Sequence, residues 1–232
     1  MNNNLELEDI GDVPESRNFH QLGIFLLDGS GSMATTGDNN MTLAENVNRS
    51  FRDFLSFFKT SSQMNNFSIA VITFDNNASV HTPITELTQI DDFTDFNPMN
   101  RHGGGTFIGG ALVEAEKLAT QFLSSPEASS IPHDVRIIIM SDGLCQAPDQ
   151  TKKIADDLKK NDKIMICSSL FTDRNKISDG DIEVSEAKNV LQDLASAVNL
   201  YKTSFKENDL RQFFISSMSA KRKYSNDKWH LR

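Results

Sequence analysis

The sequence predicts an α/β protein: a doubly wound, mostly parallel central sheet with helices on both faces and one short antiparallel edge strand. Two observations point there. Short apolar runs at 22–27, 67–74, 135–140 and 163–171 read as buried strands. The segments between them carry the three- and four-residue apolar spacing of helices. Strands alternating with helices imply βαβ units and a mostly parallel sheet covered on both sides.

The elements follow in order. Residues 22–27 form the first strand. Residues 42–59 form a helix whose Phe51, Phe54, Leu55 and Phe58 recur on one face. The second strand is 67–74. Asn76 and Asn77 make a turn into a short third strand, 78–84, where Pro83 suits a sheet edge. A polar connection, 85–105, ends in Gly103, Gly104 and Gly105. The next helix, 107–123, turns Ala111, Leu112, Ala115 and Leu118 inward. A loop with Pro126 and Pro132 leads to strand 135–140, helix 149–160 and strand 163–171. After a polar loop come a helix at 182–197, a short strand at 200–203 and a helix at 207–220. The sequence contains no internal repeat.

The chain of 232 residues is long enough to bury a substantial core in one domain. Residues 1–18 carry five acidic side chains and little apolar content, and read as a flexible acidic tail. Residues 19–220 form the domain, and 221–232 a basic carboxyl-terminal tail. A formal net charge of −9 argues against non-specific nucleic-acid binding, which needs a basic face. No apolar stretch approaches the roughly 20 residues that span a bilayer. The amino terminus lacks the basic and apolar regions of a signal peptide. There are two cysteines. Cys167 lies in an apolar run and reads as buried; Cys145 follows a turn and reads as exposed. No zinc spacing is present. The expected compartment is the cytoplasm.

The most informative segment follows the first strand: Asp28-Gly29-Ser30-Gly31-Ser32. One carboxylate and two hydroxyls fall within five residues, all hard oxygen ligands suited to Mg²⁺ or Mn²⁺. The interleaved glycines let the backbone turn so that alternate side chains converge. Thr106 follows the glycine run at a helix start, and Asp142 follows the apolar run 135–140. Ligands of open parallel sheets bind outside the carboxyl ends of the strands, where all three clusters would lie.

Other readings of these motifs fit less well. No Gly-Lys-Ser/Thr follows either glycine cluster, so a P-loop is excluded. Neither Ser30 nor Ser32 has the flanking glycines of a hydrolase elbow. A haloacid-type phosphatase needs an acidic residue where Ser30 stands. The acidic segment 173–183 fails the EF-hand pattern at Ile177 and Ser178. His102, beside the glycine run, reads as a surface histidine, and Phe107 is a candidate for an exposed contact beside the site. The other phenylalanines read mostly as core.

Asp-x-Ser-x-Ser after the first strand, Thr106 in a Gly-rich turn and Asp142 after a later strand resemble the von Willebrand factor A domain family. The resemblance covers roughly residues 20–219 and includes 70–74 as second strand and Ala111-Leu112 after the threonine turn. It implies a Rossmann-like fold and a metal-ion-dependent adhesion site made by Asp28, Ser30, Ser32, Thr106 and Asp142. The implied cofactor is Mg²⁺ or Mn²⁺, with Ca²⁺ as a further candidate. The implied partner is another protein that contributes a Glu or Asp to the metal. The chain resembles the compact cytosolic bacterial members, which act in multiprotein, stress-response-type systems. Asp75 departs from the family pattern where a neutral residue is expected, and leaves open whether extra negative charge lies near the metal. Ser141 stands where threonine is common. No nucleophile–base pair is evident in the sequence, so the expectation is a binding module and not an enzyme. The rivals are a Mg²⁺-dependent phosphatase using Asp28 and a structural subunit with a vestigial site.

Overall fold

The computed structural model describes residues 17–37, 40–172, 177 and 180–220. The two tails, apart from Arg17 and Asn18, and most of the acidic segment 173–183 lie outside the described residues.

Six strands form one sheet: β1 (His20–Asp28), β2 (Phe67–Phe74), β3 (Ala78–Glu86), β4 (His133–Ser141), β5 (Ile164–Phe171) and β6 (Tyr201–Ser204). Their order is β3-β2-β1-β4-β5-β6. All neighbours are parallel except β2 and β3. The chain winds outward from β1 in both directions, so β1 and β4 flank the point where the winding reverses. A crevice opens at the carboxyl ends of such a strand pair.

Among the described residues, five helices cover the sheet: α1 (Leu43–Lys59), α2 (Ile108–Leu123), α3 (Pro148–Lys159), α4 (Ile182–Leu194) and α5 (Glu207–Ser219). Alternation along β1 separates two cores. Leu22, Ile24 and Leu26 pack with residues of α2, α3 and α4. Phe25 and Leu27 pack with residues of α1 and α5. The second core is rich in aromatics: Phe25 meets Phe51 edge-on at 4.7 Å and Phe214 at 5.6 Å between ring centroids. Edge-on pairs of this kind contribute about 0.5–1.5 kcal/mol each beyond their buried area.

Local chemistry sets several boundaries. Thr42 caps α1, accepting from the Glu45 N–H at 3.1 Å, while Glu45 accepts from the Thr42 N–H at 2.7 Å. This reciprocal pair satisfies two otherwise unpaired donors. The edge strand β3 runs nine residues, longer than the sequence predicts, and its pairing with β2 is irregular around Val71. Helix α4 ends at Leu194, three residues before its expected end. Ala195 is extended, and Ser196 is tied to β5 through both its N–H and its hydroxyl at Ile166. Sheet contact there overrides helical spacing. Residues 85–105 are less polar in place than in sequence, since Leu87, Ile90 and Phe96 are buried. Cys145 is also buried, against expectation, because the segment after Asp142 folds back beneath α2 and the Gln146 N–H donates to Thr106 O at 2.7 Å. Among the described residues no helix is long and apolar enough to cross a membrane.

Candidate metal centre

The five expected oxygen donors stand at the carboxyl ends of the two central strands. Asp28 ends β1, and Asp142 directly follows β4. Asp28, Ser30, Thr106 and Asp142 are all buried, and Ser32 is exposed. Hydrogen bonds knit the group together. The Ser30 N–H donates to Asp28 Oδ1 at 2.8 Å, and the Ser32 hydroxyl donates to Asp142 Oδ1 at 2.7 Å. The Ser30 and Ser32 hydroxyls lie 3.1 Å apart. Thr106 joins them from the other loop: a Cβ built on Gly143 would lie 3.4 Å from Thr106 Oγ1 and 3.5 Å from Ser32 Oγ.

The glycines serve a purpose other than the expected sharp turn. Neither Gly29 nor Gly31 has a positive φ. A Cβ at Gly29 would instead fall 2.1 Å from the Pro98 carbonyl oxygen. The Gly31 N–H donates to Gly104 O at 2.9 Å. These two positions allow the Asp28–Ser32 loop to press against residues 98–104, which brings Thr106 to the site.

Three residues support the site through contacts that the sequence did not disclose. Ser141 donates its hydroxyl to Asp28 Oδ2 and so holds the carboxylate from the neighbouring strand. Asp75 accepts from the N–H groups of Asn77, Gly103 and Gly104 at 2.9, 3.2 and 3.0 Å. Asn76 accepts from the Gly105 N–H at 3.0 Å. The Asp75 charge is therefore spent on organising the glycine loop. His102 is no surface residue: its ring sits 3.2 Å from Asp75 Oδ1 and 2.9 Å from Thr73 Oγ1, with the side chain 7% exposed. Phe107 is half-buried as the residue preceding α2. The signal that pointed to Asp75 was its departure from the family pattern; its loop partners are set by tertiary packing.

The two aspartates differ electrostatically from Asp75. Burial, and then the nearby Asp142 charge, push the Asp28 carboxyl up to about 7. Burial alone would raise Asp75 too, but the donors from Asn77, His102 and Gly104 bring it down to about 2. A buried pair of carboxylates with hydroxyls beside it is the donor set a hard divalent cation needs. Such a cation would offset the burial and the Asp142 repulsion that raise the Asp28 carboxyl. The residues present therefore fit a divalent cation.

Solved structures resemble this fold. The pilus adhesin SpaC from Lactobacillus rhamnosus GG aligns with a TM-score of 0.69 at 12% identity, over 88% of this chain and 31% of the adhesin. The chain thus spans about a third of that protein's length. The von Willebrand factor domain of the type V pili tip protein Mfa5 from Porphyromonas gingivalis aligns at 0.61 with 14% identity, over 86% of this chain and 94% of that one. Proximal thread matrix protein 1 from the mussel byssus, solved with a zinc-occupied MIDAS motif, aligns at 0.56 with 16% identity, over 87% and 46% of the two chains. At these identities the likeness establishes the fold. No curated protein matches the chain in sequence. The sequence model of the von Willebrand factor type A domain matches residues 24–144, over half of the chain, and the protein belongs to that family.

Proposed function

We propose that this domain is a metal-dependent protein-binding module. Asp28, Ser30, Ser32, Thr106 and Asp142 would hold Mg²⁺ or Mn²⁺, and a Glu or Asp of a partner protein would complete the coordination. The carrying observation is the convergence of these five side chains at one sheet edge, four of them buried and Ser32 exposed. When bound, the cation supplies a Lewis-acidic position that prefers an oxygen anion. Asp28 and Asp142 balance a divalent charge, and the three hydroxyls add none, so a further carboxylate is accommodated. Ser141 and Asp75 act behind the donors, one fixing the Asp28 carboxylate and the other the loop that carries Thr106. Leu144, two residues past Asp142, is 40% exposed and offers apolar contact at the rim.

The functional unit is residues 19–220, and we place it in the cytoplasm within a bacterial multiprotein, stress-response-type system. The two cysteines, both buried as free thiols, support a reducing compartment.

Two serine–histidine–carboxylate arrangements occur among the described residues, neither disclosed by the sequence alone. In the first, Ser79 Oγ lies 3.2 Å from His102 Nε2 and Asp75 Oδ1 3.2 Å from His102 Nδ1, but that Nε2 also bonds Thr73 Oγ1 at 2.9 Å and the Asp75 carboxylate is committed to the loop N–H groups. The second is buried. The Ser68 hydroxyl lies 2.9 Å from His20 Nε2, and Glu127 Oε2 lies 3.3 Å from His20 Nδ1. Ser68 is only 1% exposed, within the start of β2. A substrate carbonyl cannot reach it, so the spacing of a triad here carries no reaction.

Capture of partners by the full chain in Mg²⁺, then with chelator and with Thr106→Ala, tests the proposal. Loss of capture in both, with an unchanged thermal melt for Thr106→Ala, is expected. Capture that survives both places recognition on another surface. Phosphatase turnover that requires Mg²⁺ and disappears in Asp28→Ala would replace binding with enzymatic function.

A further inference from the structure

We infer that the chain carries a second, chemically different metal site at the opposite edge of the sheet: a zinc site formed by His20, Glu127 and His133. His20 opens β1, and His133, its Cα partner in the parallel pair, opens β4. His20 and Asp28 are eight positions apart along β1, roughly 26 Å at strand rise. The two sites are therefore independent.

The geometry is that of imidazoles prepared as ligands. One ligand atom from each of the three residues lies within 4.8 Å of the others. Both rings are buried, His20 at 6% and His133 at 2% exposure, and both pack against Phe122. His133 Nδ1 lies 2.9 Å from the Ile131 carbonyl oxygen, which can only accept. Nδ1 therefore carries the proton, and Nε2 presents a bare lone pair. That Nε2 atom is buried and has no hydrogen-bond partner. A buried acceptor left unpaired costs about 1–3 kcal/mol. A metal ion on Nε2 removes that cost, and an Nδ1–H to carbonyl bond is the usual outer support of a zinc-bound histidine.

His20 completes the arrangement through its other tautomer. In the metal-free protein the Nδ1–H donates to Glu127 Oε2 at 3.3 Å, and Nε2 lies 2.9 Å from Ser68 Oγ; a metal taking the place of the Nδ1 proton would leave Nε2–H to donate to Ser68 Oγ. Glu127 lies on the 3-10 turn Pro126–Ser129 with its side chain 44% exposed, which leaves the cluster an entry path. Arg17 approaches the second Glu127 oxygen, Oε1, at 3.5 Å and pairs with Glu86 at 2.5 Å, so Oε2, the oxygen facing His20, is the one that would turn to the metal. Zinc bonds of about 2.0–2.1 Å in a tetrahedron set ligand atoms about 3.3 Å apart. Glu127 Oε2 already stands 3.3 Å from His20 Nδ1, and binding would draw the full set, now within 4.8 Å, to that spacing. Two imidazole nitrogens and one carboxylate favour Zn²⁺ over Mg²⁺. The ion would clip the α2–β4 connection to the starts of both central strands.

The test uses the untagged full chain in an Asp28→Ala background, which disables the oxygen site, and the wild type saturated with Mg²⁺. Zn²⁺ uptake is measured by equilibrium dialysis, and Co²⁺ uptake by its visible spectrum. About one Zn²⁺ per chain is expected in both proteins, with Co²⁺ giving the intense bands of a tetrahedral centre. Glu127→Gln, a surface change that leaves the fold intact by circular dichroism, lowers Zn²⁺ affinity at least about tenfold, and His133→Gln abolishes binding. Absence of Zn²⁺ binding in both proteins overturns the inference. So does binding that Glu127→Gln leaves unchanged.

Discussion

Asp75 and Gly104 are joined by a 3.0 Å hydrogen bond from the glycine N–H to the carboxylate, the link that ties the end of β2 to the loop carrying Thr106. The same carboxylate takes the Gly103 and Asn77 N–H groups and the His102 ring. Asp75→Ala leaves those donors unsatisfied and frees the loop. Stability should fall by about 1–3 kcal/mol. Mg²⁺ affinity should fall about 10–100-fold, the range typical of outer support for a metal ligand. Calorimetric titration and thermal melts measure both. Unchanged Mg²⁺ affinity would show that the loop is held by its other contacts.

Acidity should govern metal binding at Asp28. Its carboxyl is held at about 7 in the folded protein and returns to about 3.8 when unfolded. A raised pKa contributes stability that is full below about 3.8 and is lost as pH rises through about 7. The metal-free protein therefore loses this contribution across that window. Mg²⁺ needs the ionised group, so its affinity should drop roughly tenfold per pH unit below about 7, with proton release on binding. Titrations in buffers of different ionisation enthalpy read this directly. An affinity flat from about pH 5 to 8 would exclude Asp28 as the titrating ligand.

Removing the Asp28 side chain should remove the Mg²⁺ site altogether. Asp28→Ala also eliminates a buried carboxyl that is repelled by Asp142, so the metal-free variant should melt at or above the wild type at about pH 8. In Mg²⁺ the order should reverse, because only the wild type gains binding energy. Equal Mg²⁺ affinity in the two proteins would rule the site out.

Gly29→Ala tests the close approach of two loops. The new Cβ would meet the Pro98 carbonyl oxygen at 2.1 Å, and a backbone atom cannot yield as a flexible side chain does. Loss of about 1–3 kcal/mol and a weakened Mg²⁺ site are expected, since the strain falls next to Asp28. Wild-type stability and affinity would mean that residues 98–102 shift freely.

Phe214→Ala probes the aromatic core beneath β1. Phe214 is fully buried and meets Phe25, Phe51 and Phe54. The expected cost is about 3–5 kcal/mol in denaturant unfolding. Mg²⁺ affinity should be preserved, because the cavity lies inside the α1–α5 layer and away from the strand ends. A cost below about 1 kcal/mol would mean that the helices collapse into the space.

Much of this protein was legible in the sequence because it depends on near neighbours. Strand β2 has the bounds its apolar run predicts, and Thr42 caps α1 because its partner Glu45 is three residues away. Asp28, Ser30, Ser32, Thr106 and Asp142 stand at strand exits and a helix entry, where the apolar runs and the family resemblance put them. Tertiary structure decided what depends on register and on loop contact. Ser141 reaches Asp28 because β4 lies beside β1, and Asp75 reaches Gly104 because β2 ends beneath the threonine loop. Cys145 and His102 are enclosed by chain segments distant in sequence, so local polarity misjudged both. The His20–His133 pair is the clearest case. The residues are 113 positions apart, and only the parallel register of β1 with β4 sets their rings 5.1 Å apart. Sequence spacing encodes contacts within a turn or a strand; a contact made across the sheet exists only once the strands have paired.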